Sequence, residues 1–319
     1  MYESWFVRLV SPDRPLAFWI RYTIDKTPGR EATGTVWFTG FDDANDRPLA
    51  RRLTGQPAGV PSGGWVRIGD SEIGPTGLRG DCFEAAWELR FAARAPALFH
   101  LSRPRLYDLP LPRTKPVTPV PLGDFHGSVR IGEREVSVDG WSGVIGHNWG
   151  TEHAERWIWL HGSGFPDDLD AWVDVAMGRV RVAGRLLPWV ANGAIHSAGR
   201  TRRIGGMLAR GLQVNESAAR LEARLPVEGK ASLDLEVESP KRLTVGWQYG
   251  DPADPDGESR EVANCSAARM TASLNSPQGR TVLSTLGGAV YELGMSETGH
   301  GIPIASGLPP PGPPDDSPE

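Results

Sequence analysis

Residues 146 to 161 read Gly-His-Asn-Trp-Gly-Thr-Glu-His-Ala-Glu-Arg-Trp-Ile-Trp-Leu-His, and no other stretch of the chain is so dense in chemically capable side chains. It holds three of the seven histidines and three of the twelve tryptophans. Its last part alternates, so Trp157, Trp159 and His161 share one face of a strand and Arg156, Ile158 and Leu160 the other. Two indoles and an imidazole on one side suit the wall of a cavity for a large apolar ligand, with a polar group in reach. Arg156, facing away from the two indoles, is expected in an ion pair.

The chemistry open to such a wall is proton-driven. Adding water to an isolated alkene, or cyclising onto one, needs a strong acid and then support for a carbocation. Apolar walls keep a carboxylic acid protonated by disfavouring its charge. Indole faces support a cation by about 0.5 to 2 kcal/mol each when desolvated, so several acting together count and one alone does little. The candidate proton carriers are His147, Glu152 and Asp174. Asp174 shares a strand face with Asp170, Trp172 and Ala176, and that face points either into the cavity or to solvent. His147 is either a general acid/base or, with Asn148, a hydrogen-bonding group that fixes a strand end. In the second case Trp149 and Gly150 serve packing and close approach. The candidate ligand-binding residues are Asn148, Trp149, Trp157, Trp159, His161 and Trp172, with His161 equally readable as a satisfied structural group. Asp139, before Gly140, suits a turn. His126 and His300 have no partner visible in the sequence.

No metal site is expected. His147 and His153 are six apart beside Glu152, which is not the His-Glu-x-x-His spacing, and no cysteine is near. A Gly-x-Ser-x-Gly nucleophile elbow and a phosphate-binding loop are both missing from the sequence, and no cofactor is implied.

The elements that must position these groups read as strands. Residues 4 to 10, 17 to 24 and 33 to 41 are rich in aromatic and β-branched types and are separated by Pro12-Asp13, Pro28-Gly29 and Asp42-Asp43. Residues 65 to 74, 82 to 93, 127 to 141, 170 to 183, 231 to 237, 242 to 249, 262 to 274 and 281 to 293 continue the series. Residues 84 to 90 also fit a helical turn, and 204 to 213 a short helix. Strands at this spacing without intervening helices argue an antiparallel sandwich or barrel. Six prolines between Pro104 and Pro121 make a stiff segment, either a linker or a crossing within one domain. The Pro-rich residues 306 to 319 are expected to be disordered.

Composition agrees. The 319 residues include 39 Gly and 28 Pro, which suits many short strands and tight turns. A net charge of -5 carries no nucleic-acid footprint, and the basic cluster Arg200, Arg202 and Arg203 reads as a solvated loop. Cys82 and Cys265 are too few for a disulfide framework, although one bridge between them stays open. No signal peptide and no membrane-spanning stretch is visible, which makes a soluble cytoplasmic protein the default expectation. Twelve Trp outnumber nine Phe, and six of the tryptophans lie between Trp141 and Trp189. They fill a barrel core or line a cavity.

Gly146-His147-Asn148-Trp149-Gly150 followed by Arg156-Trp157-Ile158-Trp159 resembles the central signature of the AttH-like and carotenoid 1,2-hydratase (hydroxyneurosporene synthase) proteins, and more distantly that of tocopherol cyclases. Residues 121 to 127 and 288 to 294 are similar to the same group, so the resemblance spans roughly residues 1 to 305. It implies an all-β fold of two lipocalin-like antiparallel barrels packed together, with the signature near their junction. It also implies chemistry on isoprenoid-like chains: hydration, cyclisation or isomerisation. The chain departs from the hydratase pattern at Gly146, which stands where those proteins carry Asp. The domains expected are residues 1 to 168, carrying the signature, and 169 to 305, followed by the tail. The partner expected is a hydrophobic small molecule, either turned over or merely carried.

Overall fold

A computed structural model describes residues 1–26, 29, 31–182, 184–206, 209–251, 254–296 and 299–309. Two closed antiparallel β-barrels, of ten and eight strands, make up the fold. In the first, Tyr2–Val10 leads in chain order through Leu16–Asp25, Thr33–Asp42, Leu49–Gly59, Val66–Ile68, Ser71–Ile73, Gly77–Cys82 and Ala85–Ala93 to Thr114–Ile131. Arg134–Gly150 then pairs with both Thr114–Ile131 and Tyr2–Val10 and closes the ring. The second runs Arg200–Gly205, Val190–Ser197, Trp172–Arg179, Arg156–Gly162, Gly279–Met295, Asp254–Ser276, Ala231–Glu238 and Arg220–Val227. Its closure is made where Ile204 meets Val227.

Strand alternation sorts residues between the barrel interiors and their mutual contact. Along Tyr2–Val10, Trp5, Val7 and Leu9 point into the first barrel, where Phe18, Phe38, Trp87, Phe125 and Trp141 pack. The interior is filled by rings: Trp141 stacks on Phe18 at 5.6 Å, and the buried Trp87 Nε1 donates to Tyr22 Oη at 3.0 Å. On the outward row, Arg8 is 0% exposed and reaches into the second barrel. Its Nε and Nη2 donate to Ser266 O at 3.0 and 2.9 Å, Nη2 also to Gly287 O at 2.9 Å, and Nη1 to Gly288 O at 3.1 Å. Trp19 and Trp37, also outward, join one apolar cluster with Trp247, Tyr249 and Cys265. Part of the tryptophan excess is therefore contact between the barrels.

Several sequence expectations are corrected. The sheets divide between Gly150 and Arg156, not at residue 168, so the Trp-x-Trp strand belongs to the second barrel. Residues 85 to 93 form a strand, not a helical turn, because Ala85, Trp87, Leu89 and Phe91 alternate inward. The Pro-rich stretch is a crossing within the first barrel: a 3-10 turn at Pro104–Tyr107, then a strand bulged around Val120. Asp139 lies within a strand, at a bulge, and pairs with His126 at 3.0 Å. Arg200, Arg202 and Arg203 lie on a strand, and Arg203 donates to His100 O at 2.8 Å. The candidate helix at 204–213 includes residues outside the described ones; Ile204 and Gly205 end a strand and Gln213 begins another. Gly307 is buried, its carbonyl accepting from Arg52 N at 2.7 Å, so order extends past residue 306; residues 310–319 lie outside the described ones. Cys82 and Cys265 are free and buried. Among the described residues no helix is long and apolar enough to cross a membrane.

Candidate functional site

His147 lies on the inward row of Arg134–Gly150, with Ile145 before it and Trp149 after, opposite Trp5. Its ring is sandwiched: Trp5 stacks at 3.8 Å and Trp149 at 4.8 Å. Trp65 lies on Trp5 at 4.9 Å, and Tyr107 against Trp149 at 5.9 Å. The imidazole thus sits inside a column of aromatic faces at one end of the first barrel. It is not sealed off, since its side chain stays 16% exposed.

The acid beside it is Glu3, which no motif singled out. His147 Nε2 lies 3.2 Å from Glu3 Oε1, and Lys26 Nζ 2.7 Å from Oε2. The hydrogen bond from His147 pulls the Glu3 carboxyl down, burial opposes it, and Lys26 adds to the fall, leaving it at about 2. Glu3 is therefore a carboxylate near neutral pH and can only accept. That places a proton on His147 Nε2 and leaves Nδ1, which has no hydrogen-bond partner among the described residues, free to take or give one. Glu3 precedes Trp5, Val7 and Leu9 on the inward row, and an acid in such a row was the sequence signal for it.

A buried lysine closes this end of the barrel. Lys115 shares the row of Trp149, and its Nζ donates to Leu106 O at 2.6 Å and Leu109 O at 2.7 Å. Tyr107 Oη accepts from Leu101 N at 3.1 Å and donates to Pro116 O at 2.8 Å. These bonds fold the 3-10 turn over the aromatic column. Leu109, Leu111 and Phe99 stay largely exposed along it.

The other candidates lie elsewhere. Glu152 forms an ion pair with Arg113 and is not joined to His147. Asn148 points outward, opposite Ser4. Trp157, Trp159 and His161 face out of the second barrel toward the first, because Ile158 and Leu160 take its interior. They pack the junction: Phe6 meets Trp159 edge-on at 4.4 Å, and His161 Nε2 donates to Pro121 O at 2.8 Å. Burial pushes His161 down to about 4, so it is neutral at pH 7. Trp172 is buried at the junction with Leu98 and Leu122. Arg156, as expected, pairs with Glu216 at 2.6 Å.

Asp174 faces neither solvent nor His147. It is buried at the junction, opposite His161 on the neighbouring strand. Thr118 Oγ1 donates to its Oδ2 at 2.5 Å and Trp159 Nε1 to its Oδ1 at 3.2 Å, while His100 Nε2 stands 3.6 Å away. Burial alone would raise its pKa. The His100 and His161 rings and the Thr118 hydroxyl outweigh burial and hold it below the usual carboxylate range. A group held ionised is a poor general acid.

Gly146 has a structural reason. A Cβ there would lie 2.1 Å from the Phe6 ring. The phenyl group fills the space that an aspartate side chain would need. Among the described residues no group of three His, Cys, Asp or Glu side chains is placed to hold a metal ion. Two surface grooves, of about 470 and 620 Å³, are lined by residues such as Arg67, Glu72 and Arg79, or Asp70 and Phe83, and neither touches a tryptophan.

No family model matches the chain. It is 31% identical over 162 residues to the uncharacterized protein Rv0493c of Mycobacterium tuberculosis (strain ATCC 25618 / H37Rv), covering 50% of this chain and 48% of that protein. The chain thus spans about half the length of the curated relatives it matches. Among solved structures, CghA with Sch210972 superposes with a TM-score of 0.59 at 11% identity, over 92% of this chain and 88% of that one. An AttH-type protein of Nitrosomonas europaea gives 0.56 at 12%, over 92% of each chain. Kievitone hydratase from Nectria haematococca gives 0.54 at 11%, over 91% and 88%. At these identities the likeness establishes the fold: the chain has the two-barrel architecture of AttH-like proteins, as the signature implied.

Proposed function

We propose that this chain binds an apolar small molecule, isoprenoid-, lipid- or polyketide-like, at the aromatic mouth of its first barrel and moves a proton on it without a redox cofactor. The observation that carries this is the Glu3–His147 pair, a proton-handling dyad between the faces of Trp5 and Trp149. His147 Nδ1 is the transferring atom. Glu3 orients the ring and stabilises the imidazolium that forms when Nδ1 takes a proton. Trp5, Trp65, Trp149 and Tyr107 hold the ligand's apolar body, and the faces of Trp5 and Trp149 on the His147 ring support the imidazolium as it forms. A structural neighbour is a kievitone hydratase, and a hydratase also moves a proton. Holding a flexible chain in a reactive fold lowers a cyclisation barrier by itself.

A carrier is the second reading, and one observation favours it. Asp174 and Glu152 are both engaged away from His147, so neither carboxyl reinforces the mouth. His147→Gln separates the two. Tryptophan-fluorescence titration with isoprenoids and fatty acids, paired with product analysis, should show affinity kept and conversion lost. Conversion that persists in His147→Gln would refute the enzyme reading.

A further inference from the structure

On the far side of the sheet from His147, the outward row of the first barrel carries Arg21. It is 6% exposed at the contact with the second barrel. Its Nε donates to Ser4 Oγ at 2.8 Å. Its guanidinium carbon lies 4.0 Å from the centre of the Tyr249 ring, 5.7 Å from Trp37 and 6.0 Å from Trp19. Aromatic faces offset part of the cost of burying a cation. They do not supply the oxygen acceptors that guanidinium N–H groups need.

Nε has Ser4 Oγ, and the Tyr249 hydroxyl is a further hydrogen-bond partner of the guanidinium, but one acceptor is missing. Arg21 Nη1 is buried with no hydrogen-bond partner. No carboxylate oxygen among the described residues lies within ion-pair distance of Arg21, Asp25 on its own strand included. Trp19 Nε1, two residues away on the same face, is a second buried donor without a partner. Asn148 Oδ1, across Ser4, is a buried acceptor without one. Buried polar groups are nearly always paired, so three unmatched atoms on one face ask for an explanation. Two of the three are donors, and an oxygen acceptor is what the place lacks.

The surrounding charge points the same way. Arg260 is a second guanidinium buried in this region. His153, between Tyr2 at 4.6 Å and Trp157 at 5.3 Å, is driven down to about 3, by burial first and then by the charges of Arg21 and Arg260. Glu292, a carboxylate of the cluster, already accepts from Tyr249 Oη at 3.2 Å, Trp157 Nε1 at 3.3 Å and Asn264 Nδ2 at 3.1 Å, and Asp25 acts on Arg21 only through space.

We infer that Arg21, with Trp19 Nε1 beside it, is the receptor for the oxyanion of an amphipathic organic acid whose apolar body lies among Trp37, Tyr249 and Trp157 at the junction of the barrels. The site is distinct from the mouth, since Arg21 and His147 lie on opposite faces of the sheet. Asn148 offers its oxygen to a hydroxyl of the same ligand. A charge-assisted hydrogen bond in a water-poor place is worth more than a neutral one, so the acid should be strongly preferred over its uncharged analogue.

Retinoic acid and retinol test this, because they differ only in carboxylate against hydroxyl and both quench tryptophan emission. Titrations of the wild-type protein should show the acid binding at least about tenfold tighter. Arg21→Gln should abolish the preference, and Arg21→Lys should keep part of it. Trp149→Arg, which obstructs the mouth, should leave it intact. Equal affinities in the wild type, binding of neither retinoid, or a preference that survives Arg21→Gln would overturn the assignment. The wild-type comparison does so without relying on any variant to fold. Loss of acid binding in Trp149→Arg would place the acid at the mouth, overturning this site while leaving the mouth's function standing.

Discussion

Glu3 and His147 meet at 3.2 Å across the seam where the Arg134–Gly150 strand pairs with the first strand and completes the first barrel. Closure of the barrel and assembly of the dyad are therefore one event. A substitution at either residue should be felt in the closure of the barrel.

Glu3→Gln should lower stability at pH 7 by roughly 1.5–3 kcal/mol, the range for a hydrogen bond to a charged group. The pH dependence has a definite sign. Glu3 is depressed from 4.5 to about 2, so the wild type gains stability that is complete above 4.5 and is lost as the pH falls toward 2. Urea midpoints should converge for wild type and Glu3→Gln across that window. A gap that widens toward pH 2 would contradict the pairing.

Two buried histidines govern a higher window. His161 is lowered to about 4 and His153 to about 3, both first by burial. The unfolded chain takes up their protons below about 6.5 while the folded one resists, so stability should fall as the pH drops from 6.5 to 4. The variant His153→Gln/His161→Gln should flatten that part of the curve. An unchanged slope in thermal melts would show that neither ring is held neutral.

Arg8→Met should cost about 1–3 kcal/mol, because the buried carbonyls of Ser266, Gly287 and Gly288 lose their cationic donor. The loss should appear as weakened coupling of the barrels in denaturant unfolding, with a separate transition for one of them. A variant as stable and cooperative as the wild type would show that the guanidinium is dispensable at the junction.

Gly146→Asp should destabilise by at least about 2 kcal/mol, because the Phe6 ring occupies the space the new side chain needs. Phe6→Ala should relieve most of the clash, so the double variant should be more stable than additivity allows. Additive costs would mean that Phe6 does not exclude the aspartate.

Much of the fold was legible in the sequence. The strands at 4–10, 17–24 and 33–41 fell within one or two residues of those observed, because alternation and turn residues are local signals. The division of the barrels was not legible. Gly150 and Arg156 both lie in the densest motif, and nothing local says that one strand ends in the first barrel and the next begins in the second. Facing misled in the same way. Trp157, Trp159 and His161 do share a face, as alternation requires, yet that face is the outside of a barrel covered by another barrel. Glu3 was hidden because its partner lies 144 residues away in the chain. His147 and Trp149 do share the inward row and stack on each other, as alternation within the motif requires.

The central claim is an apolar ligand at the mouth formed by Trp5, Trp65, His147 and Trp149, and native mass spectrometry of the purified protein followed by solvent extraction tests it most directly. The wild type should carry an isoprenoid-, lipid- or polyketide-like molecule, and Trp149→Arg should purify without it. A wild type that carries nothing and binds no member of an isoprenoid and fatty-acid panel, or a Trp149→Arg variant that keeps the same molecule, would contradict the account.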